Sequence, residues 1–559
     1  MTITAGPARA AVHPSHRAGS RPKQASIDLL TACFSFPGLS NLADALTAHR
    51  PTRAGARAQH PDICMLAVLA AARAVGGVQP VVRELNAADR FAWKKCSALL
   101  MARIEGLRLP PTPPTRDQIT SFQRRVTEDG GIDVLEQAFI DASVKMAKWM
   151  GHFDVSTAPD WVRPDPKHAI YGDGTVIAPF SGASEWVHPL TGEVVIRDSR
   201  ARDASTARIQ RVRTDTTIDG KADLRGINFV SMHTWTSSGR VMLATGHALG
   251  AETLTAVDLM RAVQERAQGG VHTVIYDGVV TGWIVDWLMG SLRIQAVNKI
   301  AAASTTDPHV PSADHPLRRR PALEASAERA QRALVAAGLA VTPELVRYEQ
   351  DAALDRLYTS DVPLPVGLCL YPRSKSNSYE IVYSQHHEIE TAEHTVDGER
   401  CAHRLVVDDG ALYVAEEDIE REHLVKTAMP VCTEATAHLD RGTWNRRTTW
   451  QIPCERGAFA HELTWRPAGT FHPKRTTGRT PRVDPLAELR PLARAHEGYG
   501  EVFGRRNDSE SYNQWFQAGL RHPGVAMSLS LGGQRLDFLM GAVLNNAITY
   551  GREMATRRG

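Results

Sequence analysis

Cysteine is scarce in this chain: seven in 559 residues, an odd number scattered without regular spacing. That excludes the disulfide frameworks of small secreted domains, and a reducing cytoplasm is the expected compartment. Charge of one sign is missing too. The 65 lysines and arginines against 62 acids leave a net of only +3, so no global field announces a polyanionic partner. Long apolar runs are also absent. The longest, ICMLAVLAAA from Ile63, is followed by Arg73 and falls far short of the roughly 20 residues that span a bilayer, so no membrane association is expected. The opening stretch MTITAGPARAAVHPSHRAGSRPKQ has no apolar signal-peptide core and reads as a disordered, mildly basic tail over residues 1–25.

What is present describes a globular protein. Hydrophobic residues make up 43% and charged residues 23%, enough for sizeable cores, and the length implies about three or four domains. Residues 26–155 read as helical, through HPDICMLAVLAAARAVGG, VQPVVRELNAADRFAWKKCSALLMARIEG and GIDVLEQAFIDASVKMAKWMG. Gly76 and Gly77 stop the first of these, and the prolines of LPPTPPTRDQ make a rigid break. With Arg83, Arg90, Lys94, Lys95 and Arg103 available, this region suits a helix-turn-helix DNA-binding domain or a plain helical packing domain.

From about residue 160 the texture changes. AIYGDGTVIAPF, GINFVSMHTWTS and RVMLATGHAL read as strands, AETLTAVDLMRAVQERAQGG as a helix, VHTVIYDGVVTGW as an apolar strand, WIVDWLMGS as a short helix and IQAVNKIA as a further strand. That order makes a mixed sheet with a helical layer over 160–304. Residues 305–490 read as a β-rich insertion, with EASAERAQRALVAAG a helix inside it, and 491–553 return to helices. The basic runs HPLRRRP and HPKRTTGRTPR fit solvated loops or a phosphate groove.

Two aspartates stand where chemistry is possible. Asp173 lies in the first strand and Asp277 ends a buried one, each followed by a glycine. Carboxylates at strand positions can converge on one locus while the glycines leave room for a ligand or metal. A glutamate from a late helix would complete three hard oxygen ligands suited to Mg²⁺ or Mn²⁺. The segment FGRRNDSESYNQWFQAGL supplies it. At about 100° per residue, Phe503, Arg506, Glu510 and Gln517 share one stripe while Tyr512, Trp515 and Phe516 lie opposite. Asn507 and Asp508 suit N-cap positions.

These residues resemble a known pattern. Strand aspartates in YGDGT and VIYDG, then a glutamate helix after a long β-rich insertion, resemble the ribonuclease H-like fold of DDE transposases. The segment from Phe503 is similar to the Y-(2)-R-(3)-E-(6)-K signature of bacterial insertion-sequence transposases. Phe503 stands for Tyr, Arg506 for Arg, Glu510 for Glu and Gln517 for Lys, so two of four letters match. RAVGGVQPVVRELNAADRFAW, GWIVDWLMGSLRIQAVNKI and the C-terminal block through GGQRLDFLMGAVLNNAITY resemble blocks of actinobacterial transposase-like proteins. Together with the aspartate strands they cover roughly half the chain.

The resemblance implies a multi-domain α/β protein, with a ribonuclease H-like core interrupted by the insertion and preceded by the helical domain. It implies Asp173, Asp277 and Glu510 as catalytic metal ligands for two Mg²⁺ or Mn²⁺ ions, which would polarise the scissile phosphate and stabilise the departing 3′ oxygen. Arg506 would contact phosphate or orient Glu510, and Gln517 would stand on the DNA side. Transposon-end and target DNA would be the partners of a homodimer at the bacterial nucleoid. A decayed, DNA-binding relative and a structure-selective nuclease are the other readings.

The insertion holds further candidates. Trp444 and Trp450, with Arg446 and Arg447, suit stacking on a flipped base at a transposon end, or equally a sheet core. Cys369, Cys401, His403, Cys432, Cys454 and His461 lack the close CxxC spacing of a zinc ribbon and read first as buried thiols, with a structural zinc as the alternative. His386 and His387, beside Glu388 and Glu390, fit an exposed strand edge or a metal site.

Overall fold

The computed structural model describes residues 26–49, 59–178, 183–187, 194–198, 210–212, 224–248, 252–276, 280, 283–299, 335, 364–372, 379–383, 386–418, 423–440, 443–466, 485–522 and 524–558. Asp277, residues 1–25, the two basic runs and all but Val335 of the helix expected from Glu324 lie outside them.

Seven helices come first: α1 (Ser26–Ser35), α2 (Pro37–His49), α3 (Asp62–Ala74), α4 (Val78–Asn86), α5 (Phe91–Arg103), α6 (Arg116–Glu128) and α7 (Gly131–Trp149). Every residue of α3 from Asp62 to Arg73 is buried, as its apolar circumference requires. The proline stretch ends in a capping box at α6. Thr115 Oγ1 accepts from the Gln118 amide at 3.3 Å, and Gln118 Oε1 accepts from the Thr115 amide at 2.9 Å. Among the described residues no single helix is long and apolar enough to cross a membrane.

The main sheet is built on β1 (Ala169–Ile177). A separate two-stranded hairpin follows, β2 (Ala183–Val187) with β3 (Val194–Asp198). Then come β4 (Gln210–Val212), β5 (Leu224–Thr236), β6 (Gly239–Ala248), helix α8 (Glu252–Ala267), β7 (Thr273–Ile275), α9 (Trp283–Trp287) and β8 (Gln295–Val297). β5 runs antiparallel to both β1 and β6, whereas β7 is parallel to β1 and β8 is parallel to β7, giving the order β6-β5-β1-β7-β8 with β4 also on β5. Side chains alternate across these strands. Ile170, Val274 and Ala296 enter the large core, while Ala169, Tyr171, Ile275 and Val297 enter a smaller one with Leu492 and Tyr499.

The β-rich region begins with β9 (Leu364–Pro365) and the pair β10 (Leu368–Pro372) and β11 (Tyr379–Tyr383). A five-stranded sheet joins β12 (His386–Val396), β13 (Glu399–Asp408), β14 (Ala411–Asp418), β15 (His423–Ala428) and β9 in that order. A three-stranded sheet joins β16 (Val431–Asp440), β17 (Thr443–Ile452) and β18 (Phe459–Trp465). Two of the hairpins turn on Asp-Gly. Asp397 and Gly398 have φ of 51° and 83°, and Asp409 and Gly410 have φ of 48° and 78°, the positive pairs that a two-residue loop needs to match strand twist.

Four helices close the chain: α10 (Pro485–Glu488), α11 (Tyr499–Gly504), α12 (Asn507–Gly519) and the 28-residue α13 (Leu531–Arg558). α13 packs against α1, α3, α6, α7 and β6, so one continuous core runs from the first helices into the sheet. Two polar contacts fix it. Arg73 Nη1 meets Asp537 Oδ1 at 2.5 Å, both side chains almost fully enclosed. Asn546, fully buried, repairs a bulge: where the β5–β6 register slips between Met232 and His233, its Oδ1 accepts from the Met242 amide and its Nδ2 donates to the Met242 carbonyl, each at 2.7 Å. Asn546→Ala would orphan both backbone groups, and a loss of about 2–5 kcal/mol in unfolding free energy is expected by denaturant titration.

Acid should weaken this core. Burial holds His233, His272 and His496 below the ordinary histidine range, the last two at about 4. Unfolded, these imidazoles protonate near about pH 6.5, so between there and their folded values the unfolded state binds more protons, and stability falls as pH is lowered. The urea midpoint is expected to drop steadily over that window at fixed ionic strength. A flat profile would contradict the assignment.

Candidate active site

Alternation along β1 puts Tyr171, Asp173 and Thr175 on one face and Gly172 and Gly174 on the other. α12 lies against β1. Its apolar side carries Tyr512 and Phe516, which pack on Phe538 of α13 with ring centroids at 5.9 and 5.0 Å. That contact turns the opposite stripe, Arg506, Glu510, Asn513 and Gln517, toward the strand.

The stripe meets β1 through a run of polar contacts. Arg506 Nη2 donates to Asp173 Oδ1 at 3.2 Å while Nη1 donates to Glu510 Oε1 at 3.2 Å. Asn513 Nδ2 donates to Asp173 Oδ2 at 3.1 Å, and Gln517 Nε2 donates to Thr175 Oγ1 at 2.8 Å. One guanidinium therefore bridges two carboxylates that lie more than 300 residues apart in sequence. Arg506 and Asp173 are mostly enclosed, with side chains 13% and 14% exposed, whereas Glu510 is 51% exposed. Enclosure strengthens the Arg506–Asp173 attraction, and the solvent-facing Glu510 pair is weaker.

The glycine face of β1 is packed by a further, single carboxylate. Glu252, in the first turn of α8, accepts from Asn228 Nδ2 at 2.7 Å and from Tyr276 Oη at 2.8 Å. A Cβ on Gly174 would fall 2.5 Å from Glu252 Oε2, and one on Gly172 would fall 2.5 Å from the Tyr276 ring. The space that Gly174 was expected to leave for a ligand is thus filled by the protein's own glutamate. Burial, with Glu252 beside it, holds the Tyr276 hydroxyl well above the usual phenol range, and Asp173 adds to this. Tyr276 is the residue before Asp277, which lies outside the described residues.

Asp173, Arg506, Glu510 and Gln517 therefore come together. The residues expected on the insertion do not join them. Trp450 is fully buried and its indole N–H donates to Thr448 Oγ1 at 2.8 Å, so it has no face open to a nucleotide base. Arg446 is also buried, donating to the Leu486 carbonyl and lying over the Trp465 ring at 5.3 Å. Trp444 packs on Gly290 with the Arg293 guanidinium 4.1 Å from its ring. Arg447 pairs with Glu462 at 3.0 Å on the surface. These side chains belong to sheet packing, with Arg447 alone exposed.

The capping expectation also needs correction. Arg505 and Arg506 are both in right-handed helical conformation and α12 has no side-chain cap. The chain thus passes from α11 to α12 without the extended residue that an N-cap requires. Asp508 instead faces Arg240, which donates to Ser511 Oγ at 2.5 Å. Burial raises the Asp508 carboxyl, against the pull of Arg240.

Asn513, Thr175 and Glu252 were not singled out from sequence. Asn513 had a signal, since it lies seven residues beyond Arg506 on the same stripe. Thr175 is two residues from Asp173 on one strand face. Glu252 had only its place at a helix start. Comparison with protein-family models, curated proteins and solved structures gives no match to this chain.

Proposed function

We propose that this protein is a DDE-type DNA transposase, which cuts the ends of its element and joins their 3′-OH strands to target DNA. The observation that carries the reading is the single Arg506 guanidinium shared by Asp173 on the central strand and Glu510 on a late helix. The strand order supports it. A central β1 with an antiparallel meander on one side and two parallel strands on the other is what a ribonuclease H-like core requires.

The donor set fits a hard divalent cation. Asp173 and Glu510 already direct carboxylate oxygens at one cationic group, and Glu510 is half open to solvent. The resemblance assigns Asp277 as the third carboxylate of a set for Mg²⁺ or Mn²⁺. When bound, two such ions supply Lewis-acid activation of the scissile phosphate and charge neutralisation at the leaving oxygen. The chain's own residues position the ligands: Asn513 fixes Asp173 from one side, and Arg506 holds it from the other while steadying Glu510. Arg506 is the cation on this face that a DNA phosphate would meet. The Gln517 amide is engaged with Thr175, so its place in the signature serves the α12–β1 contact. Cutting paired ends requires two copies on the DNA.

The test is a strand-cleavage assay with purified protein, duplexes carrying the sequences that flank its coding region, and Mg²⁺, Mn²⁺ or chelator. Metal-dependent nicks with 3′-OH ends at those flanks are expected. Binding without cleavage would replace the enzyme by a transposase-derived DNA-binding protein. Cleavage of branched DNA regardless of sequence would replace it by a structure-selective nuclease.

A further inference from the structure

The β-rich region brings together four side chains that the transposase reading does not use. His394 on β12 faces Cys401 on β13 as a cross-strand pair, and His403 lies two residues further along β13 opposite Ala392. Period-two alternation puts all three on one face of the hairpin. Cys454 reaches that face from the turn after β17, in the other sheet. His394 Nε2 is 3.2 Å from Cys454 Sγ, and ligand atoms of His394, His403 and Cys454 all lie within 4.8 Å of one another. The Cys401 thiol lies near enough to Cys454 to interact with it electrostatically.

We propose that His394, Cys401, His403 and Cys454 form a structural zinc site that clips the β12–β13 hairpin to the β16–β18 sheet. Two thiolates and two imidazoles are the donor set of tetrahedral zinc, whose bonds of about 2.3 Å to sulfur and about 2.0 Å to nitrogen place the donors about 3.3–3.8 Å apart. His394, His403 and Cys454, within 4.8 Å of one another, need a modest contraction to meet this, and the Cys401 thiol must turn in from further out on the same hairpin face.

Two observations favour metal over a polar cluster. His403 Nε2 is buried and has no hydrogen-bond partner, an arrangement that costs free energy unless something binds there. Phe459 stacks on His394 with centroids 4.0 Å apart and lies 5.7 Å from His403, which fixes both rings as a ligand set requires. Other contacts cross at the same seam, among them His461 Nε2 with Glu390 Oε1 at 2.6 Å and Arg456 with Glu399. An ion there would reinforce an existing joint.

The main rival is a Cys401–Cys454 disulfide, which would leave both imidazoles without a role. The experiment uses the full chain, without a polyhistidine tag, dialysed against metal-free buffer. Elemental analysis is expected to find one zinc per chain, and Cys401→Ser or Cys454→Ser is expected to lower retained zinc at least about tenfold, while Cys432→Ser retains it. Cobalt replacement in the unaltered chain should give the intense visible bands of a tetrahedral site together with thiolate charge-transfer absorption. This arm does not depend on any variant folding. Thiol titration in denaturant with chelator and no reductant should count all seven cysteines. A count two lower, no retained zinc, or cobalt spectra without thiolate bands would each overturn the site.

Discussion

Glu510→Gln is expected to reduce metal-dependent strand cleavage by at least about 10³-fold, roughly 4 kcal/mol of transition-state stabilisation, while leaving the melting temperature almost unchanged. The two halves of this expectation have different causes. Glutamine keeps the shape of Glu510 and still accepts from Arg506, and at 51% exposure the ionic part of that pair is worth only a few tenths of a kcal/mol. A metal ligand, by contrast, needs the charge. Asp173→Asn should lose cleavage just as fully but also some stability, because Asp173 is enclosed between Arg506 and Asn513 and the guanidinium would lose its buried counter-charge. Cleavage kinetics and thermal melts on both variants separate these outcomes. If Glu510→Gln cuts at the unaltered rate, Glu510 is a surface partner of Arg506 and the two-metal reading fails.

Asp537→Ala is expected to lower the unfolding free energy by about 3–5 kcal/mol, the range for breaking a buried ion pair from one side. Arg73 lies in the last turn of a helix that is buried all round, and Asp537 is its carboxylate on α13. Burial pushes the Asp537 carboxyl up and Arg73 pulls it down, so the charged form depends on its partner. Replacing both, as Arg73→Met with Asp537→Leu, removes the stranded charge and should recover much of the loss. Denaturant titration of the single and double variants gives the coupling. A loss below about 1 kcal/mol for Asp537→Ala would mean that water reaches Arg73.

Local signals carried a good part of this structure. YGDGT read as a strand because β-branched and aromatic residues surround its glycines, and it is β1. Helical periodicity put Arg506, Glu510 and Gln517 on one stripe, and that stripe faces β1. The texture change near residue 160 and the strands of the insertion were likewise readable from composition. What escaped depends on contacts between distant residues. Nothing around Glu252, at the start of a helix, announces that Gly174 on a strand far back in the sequence has made room for it. Trp450 could be assigned to a base or to a core because burial is not a property of its neighbours in sequence. The break between α11 and α12 was invisible for a related reason. Apolar periodicity passes through Gly504, whereas in the fold Phe503 stays with α11, with the distant Lys299 ammonium 5.7 Å from its ring, apart from the stripe that follows.

The position of α13 has a consequence in time. α1 packs against α13, with Phe36 and Tyr550 rings 6.0 Å apart, yet nearly 500 residues separate Ser35 from Leu531. At a synthesis rate of about 5–20 residues per second, the first helices wait roughly 25–100 s on the ribosome for the helix that completes their core. During that interval the apolar surfaces of α1 and α3 that α13 will cover are open to other chains and to chaperones. The yield of folded protein should therefore respond to elongation rate, with slow translation giving more aggregate.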